Sequence, residues 1–216
     1  MPGSAAVRRE PVQRRSMERV ARMLDACAEV LDEVGYDRLT TREVARRANV
    51  PIGSLYQFFA SKQALCGALA RRNLEAWVDR LRERLSLAPV GRWSDTAGVV
   101  VEEFVAMKRT VPGFGIVDFG DTRPDRPILL DGAERVPNNE LVARRLAWFG
   151  VAELGLPDAA GAGLADEAEL RRVLRVAVEL ADGLLRLAFV VDPAGDPALV
   201  AETEIALRGY LSARLG

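Results

Sequence analysis

Polar side chains suited to contacting a phosphate backbone or a base edge are concentrated between Thr40 and Lys62. Hydroxyl and amide groups hydrogen-bond to phosphate oxygens and to base edges, and cations neutralise phosphates. A glycine among them allows the backbone itself to approach a ligand closely. The candidates for DNA contacts are Thr40, Thr41, Arg42, Pro51, Ile52, Gly53, Ser54, Tyr56, Gln57 and Lys62.

The surrounding residues predict two short helices joined by a tight turn, with a third helix directly after them. Thr40 is a suitable N-cap, and Glu43 three residues later completes a capping box. Asn49 falls at the turn, where it tolerates a left-handed conformation, and Pro51 begins the second helix. The apolar back of that helix is predicted to consist of Leu55, Phe58 and Phe59. This pattern is typical of a helix-turn-helix, whose second helix fits the major groove of DNA.

The ends of these helices have two compatible interpretations. Thr40 and Ser61 cap the helices that follow them. The hydroxyls and free N–H groups at such helix N-termini also suit a phosphate, and Lys62 directly follows the Ser61 cap. One residue can serve both purposes.

The stretch from roughly Arg14 to Trp77 resembles the DNA-binding domain of the tetracycline-repressor (TetR) family of bacterial transcriptional regulators. The motifs that carry the resemblance are Gly35-Tyr36, Leu39-Thr40-Thr41, Val44-Ala45, Ala48, Gly53-Ser54-Leu55-Tyr56, Phe58 or Phe59, and Ser61-Lys62 with Leu65. The chain departs from the usual family pattern at Asn49, Pro51 and Gln57, where Gly, Ser and His are common. At the last of these positions an amide replaces an imidazole that would contact phosphate.

The resemblance implies an all-α protein, in which a three-helix DNA-binding domain precedes a helical domain for ligand binding and dimerisation. We place a basic arm at residues 1–15, the DNA-binding domain at 16–72 and the effector-binding and dimerisation domain at 73–216. The implied function is that of a cytoplasmic homodimeric regulator, most simply a repressor, which a small apolar effector releases from a palindromic operator. The implied partners are operator DNA, a second copy of the chain and a small molecule, with no cofactor, metal or membrane.

The distribution of charge divides the chain in the same way. Residues 1–72 contain 13 Lys and Arg against 8 Asp and Glu, whereas the remainder contains 17 against 23. A basic part joined to an acidic part fits a nucleic-acid module joined to a module of another kind. The terminal residues Arg8, Arg9, Arg14 and Arg15 fit either a solvated arm or additional phosphate contacts.

The composition predicts neither a membrane span nor a signal peptide. No apolar run approaches the roughly 18 residues of a membrane span, and none follows the basic residues at the N-terminus. Cys27 and Cys66 lie within helical patterns, which favours a reducing compartment. We interpret both cysteines as apolar core residues, and not as redox sensors, on the expectation that neither has another cysteine nearby.

The long helix from Lys62 and the C-terminal half of the chain together read as five helical segments, the first of which is the third helix named above. They are predicted from Lys62 to about Leu87, from about Thr96 to Thr110, from Asn138 or Asn139 to about Leu154, from Asp166 to about Val190, and from Asp196-Pro197 onward. Residues 111–131 are rich in Pro and Gly but also apolar, which fits either short turns packed on the core or the lining of a cavity.

Aromatic and soft apolar side chains in this half suggest a cavity for an apolar effector. The predicted lining residues are Phe104, Met107, Phe114, Phe119, Trp148, Phe149 and Phe189. The last two helices have apolar faces wide enough to complete the core and also to form a two-fold, four-helix interface. The predicted interface residues are Leu180, Leu184, Leu207, Tyr210 and Leu211.

Two other classes of protein are alternatives. A helical enzyme is disfavoured, because the chain has no histidine and no glycine-rich phosphate loop after a strand. Asp118, Asp121, Asp125 and Asp131 are interpreted as a solvated acidic loop in preference to a metal site. An architectural DNA-binding protein without an effector would bind unrelated sequences with similar affinity, whereas a regulator prefers one operator.

Overall fold

The computed structural model describes residues 9–87, 90–117, 130–131, 134–135 and 138–216, with the backbone alone at 9–13, 116–117, 130–131 and 134–135. Its helices are α1 (Arg9–Arg38), α2 (Thr41–Arg47), α3 (Ile52–Phe58), α4 (Lys62–Leu85), α5 (Ala97–Thr110), α6 (Asn138–Ala152), α7 (Glu167–Val191) and α8 (Pro197–Leu215). Single 3₁₀ turns lie at Trp93–Thr96 and Phe114–Val117. Within the described residues, the strands are β1 (Leu130–Asp131) and β2 (Glu134–Arg135), which pair antiparallel. The predicted all-α class is confirmed.

A glycine separates the long body of α1 from its final turn. Gly35 has φ 74° and ψ 167°, a conformation that glycine adopts without the steric cost of a Cβ atom. The chain changes direction there, and Tyr36 and Leu39 are buried in the same core as Met23 of α1. This reversal brings the chain to the start of α2.

Helix α4 belongs to both halves of the molecule. Leu65 and Leu69 are buried near its start, and Trp77 and Leu81 are buried towards its end. It packs against α1 on one side and against α5 and α6 further along. The helix continues without interruption through residues 72 and 73, where we predicted the domain boundary. A displacement of α4 therefore moves side chains in both halves.

The helices of the C-terminal half begin where the sequence predicts. Asp166 accepts a hydrogen bond from the backbone N–H of Glu169 at 2.8 Å, and the Glu169 carboxylate accepts one from Ala165 N–H at 2.9 Å. Asp196 caps α8 by accepting from Leu199 N–H at 2.9 Å, and Pro197 occupies the first turn. Both predicted helix starts are confirmed, while α4 and α6 each end two residues earlier than predicted.

A close contact fixes α6 against the segment that precedes α5. The indole N–H of Trp93 donates to the carbonyl of Pro157 at 2.9 Å, so the ring is anchored at one edge. A Cβ atom on Gly150 of α6 would lie 2.2 Å from Cη2 of that ring. Only glycine at residue 150 lets the indole pack directly on the backbone of α6.

The two cysteines are closer than the sequence suggested. Cys27 of α1 and Cys66 of α4 are both completely buried, and their Sγ atoms lie 4.0 Å apart. The expectation that neither has a cysteine nearby was wrong, because 39 residues of sequence separate two positions that face each other across packed helices. The hydrogen bond between the thiols, together with burial, raises the pKa of Cys27. Both side chains are core residues, as predicted.

Candidate DNA interface and effector cavity

Short-range hydrogen bonds and one unusual backbone angle shape the turn between α2 and α3. The Thr40 hydroxyl accepts from the backbone N–H of Glu43 at 3.2 Å, which confirms the N-cap of α2. Asn49 has φ 53°, the left-handed conformation expected at this turn. Val50 N–H then donates to the Ala45 carbonyl at 3.0 Å, and α3 starts at Ile52. The predicted helix-turn-helix is therefore present.

The outer face of α3 carries the residues predicted to read DNA. Leu55 is completely buried and fixes the inner face, whereas Tyr56 is 51% exposed. Pro51, Ile52, Gly53 and Gln57 are also exposed, and Ser54 is half-buried. These side chains share one accessible surface.

Tyr56 is tied to the first helix of the unit. Its phenol oxygen lies 2.9 Å from the Thr41 hydroxyl at the start of α2. The pair holds the ring where either hydroxyl can still hydrogen-bond to a phosphate oxygen. The sequence placed both residues at the interface but did not predict their contact.

The back of α3 differs from the prediction at one residue. Phe59, which follows the helix, is buried, but Phe58 is 37% exposed. The assignment of Phe58 to the apolar back was therefore wrong. Phe59 takes the inner position in an extended conformation (φ −131°, ψ 106°) just after the helix, whereas Phe58 is the last helical residue.

The cations of α2 fall into two groups. Arg46 donates to Glu43 at 2.6 Å, and Arg47 donates to Glu33 of α1 at 2.5 Å. These bonds lower the pKa of each carboxyl group. Arg42 is exposed and has no ion pair or hydrogen bond with any described residue. Arg46 and Arg47 thus brace the unit, while Arg42 can pair with a phosphate.

Lys62 lies at the start of α4, beside the same surface. The Ser61 hydroxyl caps the helix by accepting from Ala64 N–H at 3.1 Å. The Lys62 ammonium lies 3.3 Å from the Asp37 carbonyl and 4.2 Å from the centre of the Tyr36 ring. These contacts hold the cation near the end of α1, where its charge can still act on a phosphate.

A cavity lies inside the C-terminal half, between α4, α5, α6, α7 and α8. Its volume is about 80 Å³, and its walls are almost entirely apolar. Side chains that represent the five helices are Leu81, Phe104, Phe149, Val178, Leu185 and Leu211. The polar residues of the described lining are Thr96 and Asp182, both buried.

The predicted ligand residues are not all at this cavity. Phe104 and Phe149 line it, whereas Met107 and Phe114 are buried outside its lining. Phe189 is half-buried with Lys108 4.6 Å above its ring centre. Trp148 is 51% exposed. Phe119 and the four aspartates of the predicted acidic cluster lie outside the residues whose side chains are described.

Sequence reasoning missed most of the cavity wall, including Trp77 and Asp182. Asp182 was not singled out although it interrupts the apolar pattern of α7. An acid within an apolar helical face was the available signal for Asp182. For Trp77, the sequence offered only its place on the buried face of a helix shared by both halves.

Two family descriptions together cover most of the chain. Residues 23–69 match the bacterial regulatory proteins of the tetR family, and residues 91–215 match a tetracyclin repressor-like C-terminal domain. The chain belongs to the TetR family.

The known proteins similar to this TetR-family chain include a solved structure that matches nearly the whole chain and curated relatives that match only part of it. A solved TetR-family transcriptional regulator from Streptomyces coelicolor is 43% identical, with a TM-score of 0.73 over 91% of this chain and 99% of that one. The A-factor receptor protein of Streptomyces griseus is 42% identical over 57 residues, which are 26% of this chain and 21% of the relative. The transcriptional repressor KstR of Mycolicibacterium smegmatis is 38% identical over 71 residues, 33% of this chain and 34% of the relative. The similarity to these curated relatives therefore spans about a third of their length or less.

A turn after α5 joins the two halves of this TetR-family protein. Gly113 N–H donates to the Asp32 carboxylate of α1 at 2.8 Å, and its carbonyl accepts from the Asn73 amide of α4 at 3.2 Å. A Cβ atom on Gly113 would lie 2.8 Å from Cα of Ala28. The turn therefore fits into the α1–α4 junction at backbone contact distance.

Helices α7 and α8 leave an apolar surface exposed. Val176, Leu180, Leu187 and Val190 of α7 are 37–76% exposed, and Ile205 of α8 is 62% exposed. Among the predicted interface residues, Leu184 and Tyr210 are half-buried. Leu207 and Leu211 line the internal cavity instead. In the part of the chain that the structure describes, no helix is long and apolar enough to cross a membrane.

Proposed function

We propose that the protein is a homodimeric transcriptional repressor that binds a near-palindromic operator through α3. The observation that carries the proposal is the outer face of α3, where Tyr56 and Gln57 are exposed while Leu55 fixes the helix to the core. Arg42 and Lys62 supply positive charge beside that face. Contacts to phosphate fix the register of such a unit, and contacts to base edges select the sequence.

The exposed face of α7 and α8 supports dimerisation. Helix α7 buries one apolar side inside the chain, yet Val176, Leu187 and Val190 are exposed on another side. A group of neighbouring exposed apolar side chains marks a surface that another protein covers. A second copy of the same two helices would cover this face in a two-fold interface. The proposed interface therefore contains Val176, Leu180, Leu187, Val190 and Ile205, and it places Leu207 and Leu211 within the protomer.

The cavity is the proposed effector site. Its apolar walls suit an apolar molecule with few polar groups. At about 80 Å³ it is smaller than the roughly 150 Å³ cavity that holds benzene in another protein. A larger effector must therefore push the lining helices apart, and α4 is one of them. Because α4 also packs on α1, that displacement moves the DNA-binding unit. The effector therefore has a higher affinity for the released conformation than for the DNA-binding conformation, and this difference shifts the equilibrium between the two.

The turn at Gly113 supports the same coupling from a second side. It follows directly on α5, whose Phe104 lines the cavity, and it contacts Asp32 and Asn73 at the base of the DNA-binding unit. A change in the position of α5 is thus transmitted to α1 and α4 through the hydrogen bonds that the Gly113 backbone makes with these two side chains.

Selection of binding sites from a randomised duplex pool tests the DNA-binding part of the proposal. We expect an enriched near-palindrome whose half-sites are about 34–36 Å apart, because two copies of α3 must enter successive major grooves. The double variant Tyr56→Ala/Lys62→Ala should bind all sequences more weakly and show a smaller dependence on salt. Variants of Ser54 or Gln57 should instead change the preference at one or two base pairs. Similar affinity for unrelated sequences would contradict the proposal and support an architectural DNA-binding protein.

A further inference from the structure

We propose that the effector carries an uncharged hydrogen-bond acceptor and that the indole N–H of Trp77 binds it. This inference rests on the proposed effector cavity and specifies the chemistry that the cavity recognises. The class of ligand is an apolar molecule with a ketone, ester, amide or ether oxygen.

The Trp77 side chain has a buried polar atom without a partner. Trp77 lines the cavity and is 3% exposed, and its Nε1 atom has no hydrogen-bond acceptor in the part of the chain that the structure describes. Trp93, by contrast, donates its indole N–H to the Pro157 carbonyl at 2.9 Å. A buried donor without an acceptor is costly and rare in folded proteins. Because Trp77 lines the cavity, we infer that an acceptor on a ligand reaches this N–H when the ligand pushes the lining helices apart.

The charge of the cavity wall selects among possible acceptors. Asp182 is the ionisable side chain among the described lining residues, and it is 5% exposed. A ligand carboxylate would have to give up its hydration in this apolar environment, and burying a charge without a partner is strongly disfavoured. A neutral carbonyl or ether oxygen can accept from Trp77 without that cost. The cavity wall therefore favours a ketone over a carboxylate with the same number of carbon atoms.

The position of Trp77 also connects recognition to the rest of the fold. Its ring packs edge-on against Phe104 at 6.2 Å between centroids, and Phe104 packs edge-on against Phe114 at 5.3 Å. Phe114 directly follows Gly113, which contacts α1 and α4. A hydrogen-bond acceptor bound at Trp77 thus acts on a row of three packed rings, Trp77, Phe104 and Phe114. This row ends at the contact between the DNA-binding half and the C-terminal half.

Three probes with seven carbons test the inference: heptane, 2-heptanone and heptanoate. Their dissociation constants are measured by calorimetry on the wild-type protein and on Trp77→Phe, which keeps an aromatic ring but removes the N–H. The loss of affinity caused by the substitution should be about five- to tenfold larger for 2-heptanone than for heptane, the size of one net hydrogen bond. Comparing two ligands within each variant cancels the change in ring volume.

The three probes separate failure of this inference from failure of the proposed function. If Trp77→Phe weakens the binding of 2-heptanone and of heptane by the same factor, the role of Trp77 is overturned but the proposal of an effector cavity stands. Tighter binding of heptanoate than of 2-heptanone would overturn the neutral-acceptor class. If none of the three binds the wild-type protein, the effector cavity fails, and this inference fails with it.

The indole N–H signals give a readout that does not depend on a variant. The chain contains three tryptophans, so a ¹⁵N-correlated spectrum should show three indole signals. 2-Heptanone should shift the Trp77 proton downfield relative to heptane, because the proton enters a hydrogen bond. The Trp93 signal is the internal control, since its N–H already donates to Pro157. An unshifted Trp77 signal at saturating 2-heptanone would overturn the proposal even if Trp77→Phe does not fold.

Discussion

Replacing Gly113 by Ala tests whether the turn after α5 is packed against the DNA-binding unit as closely as its contacts indicate. The new Cβ atom would lie 2.8 Å from Cα and 3.0 Å from Cβ of Ala28, and 3.2 Å from Cδ2 of Leu69. The leucine methyl group can move by rotation about its side-chain bonds. The Ala28 Cα atom belongs to the backbone of α1, so contact with it is relieved only if the turn or the helix shifts.

Two costs add in this variant. Gly113 has φ 69°, and a side chain in this left-handed region costs about 1–2 kcal/mol. Overpacking against a helix backbone costs about 1–3 kcal/mol. The sum is about 2–5 kcal/mol of unfolding free energy, at or below the low end of the total stability of a typical domain. The variant should therefore fold but melt about 4–20 °C lower than the wild type.

Gly115→Ala is the matched control for this substitution. Gly115 lies two residues further along the same turn, is exposed, and has no atom within 4 Å of an added Cβ. Urea denaturation of the three proteins should place Gly115→Ala within about 0.5 kcal/mol of the wild type. Equal stability of the two variants would refute the reasoning about the α1 contact. Operator affinity should fall in Gly113→Ala alone, because the shifted turn displaces α1.

Three further predictions concern the DNA surface, the dimer and the cysteines. Arg42→Ala should weaken operator binding and reduce the slope of log affinity against log salt by about 0.9 for each phosphate that Arg42 neutralises. The control Arg46→Ala should change this slope less, because the Arg46 cation is already paired with a carboxylate. Leu187→Asp should give a folded monomer in light scattering, while Leu207→Asp, inside the core, should lower thermal stability; a stable Leu187→Asp dimer would exclude this face from the interface. Because the pKa of Cys27 is raised above its ordinary 9.0, the neutral thiol stabilises the fold below that pH, and this contribution is lost as the pH rises further. Both cysteines should accordingly resist a thiol reagent at pH 8 in the native protein and react in urea; fast native labelling would contradict this expectation.

The local features of the fold were predictable because they depend on residues close together in sequence. The Thr40 cap, the left-handed Asn49 and the caps at Asp166 and Asp196 each involve partners within a few positions. The identity of each residue type determines such contacts almost alone. The positions of α2, α3, α7 and α8 followed from them to within one or two residues.

The choice between inner and outer faces was less predictable in the last two helices. Helix α8 is apolar on more than one side, so the sequence could not distinguish Leu207, which lines the cavity, from Ile205, which is exposed. The same ambiguity applies to aromatic residues of α6, where Phe149 faces inward and its neighbour Trp148 faces outward. Periodicity identifies a helix more reliably than it identifies which of two apolar sides meets solvent.

Contacts between distant segments were beyond prediction, and they include the ones that join the two halves. Gly113 meets Ala28, Asp32, Leu69 and Asn73, all at least 40 positions away in the chain. In the sequence, residues 111–131 fit either short turns packed on the core or the lining of a cavity, and nothing indicates which glycine packs on α1. The packing explains why residue 113 is glycine, since any side chain there would separate α5 from α1. If the cavity is the effector site, as we propose, an effector that spreads it acts on α4 and α5 together, and both meet the DNA-binding unit at this turn. The junction at Gly113 is therefore where substitutions should change the response to the effector without touching either DNA or ligand.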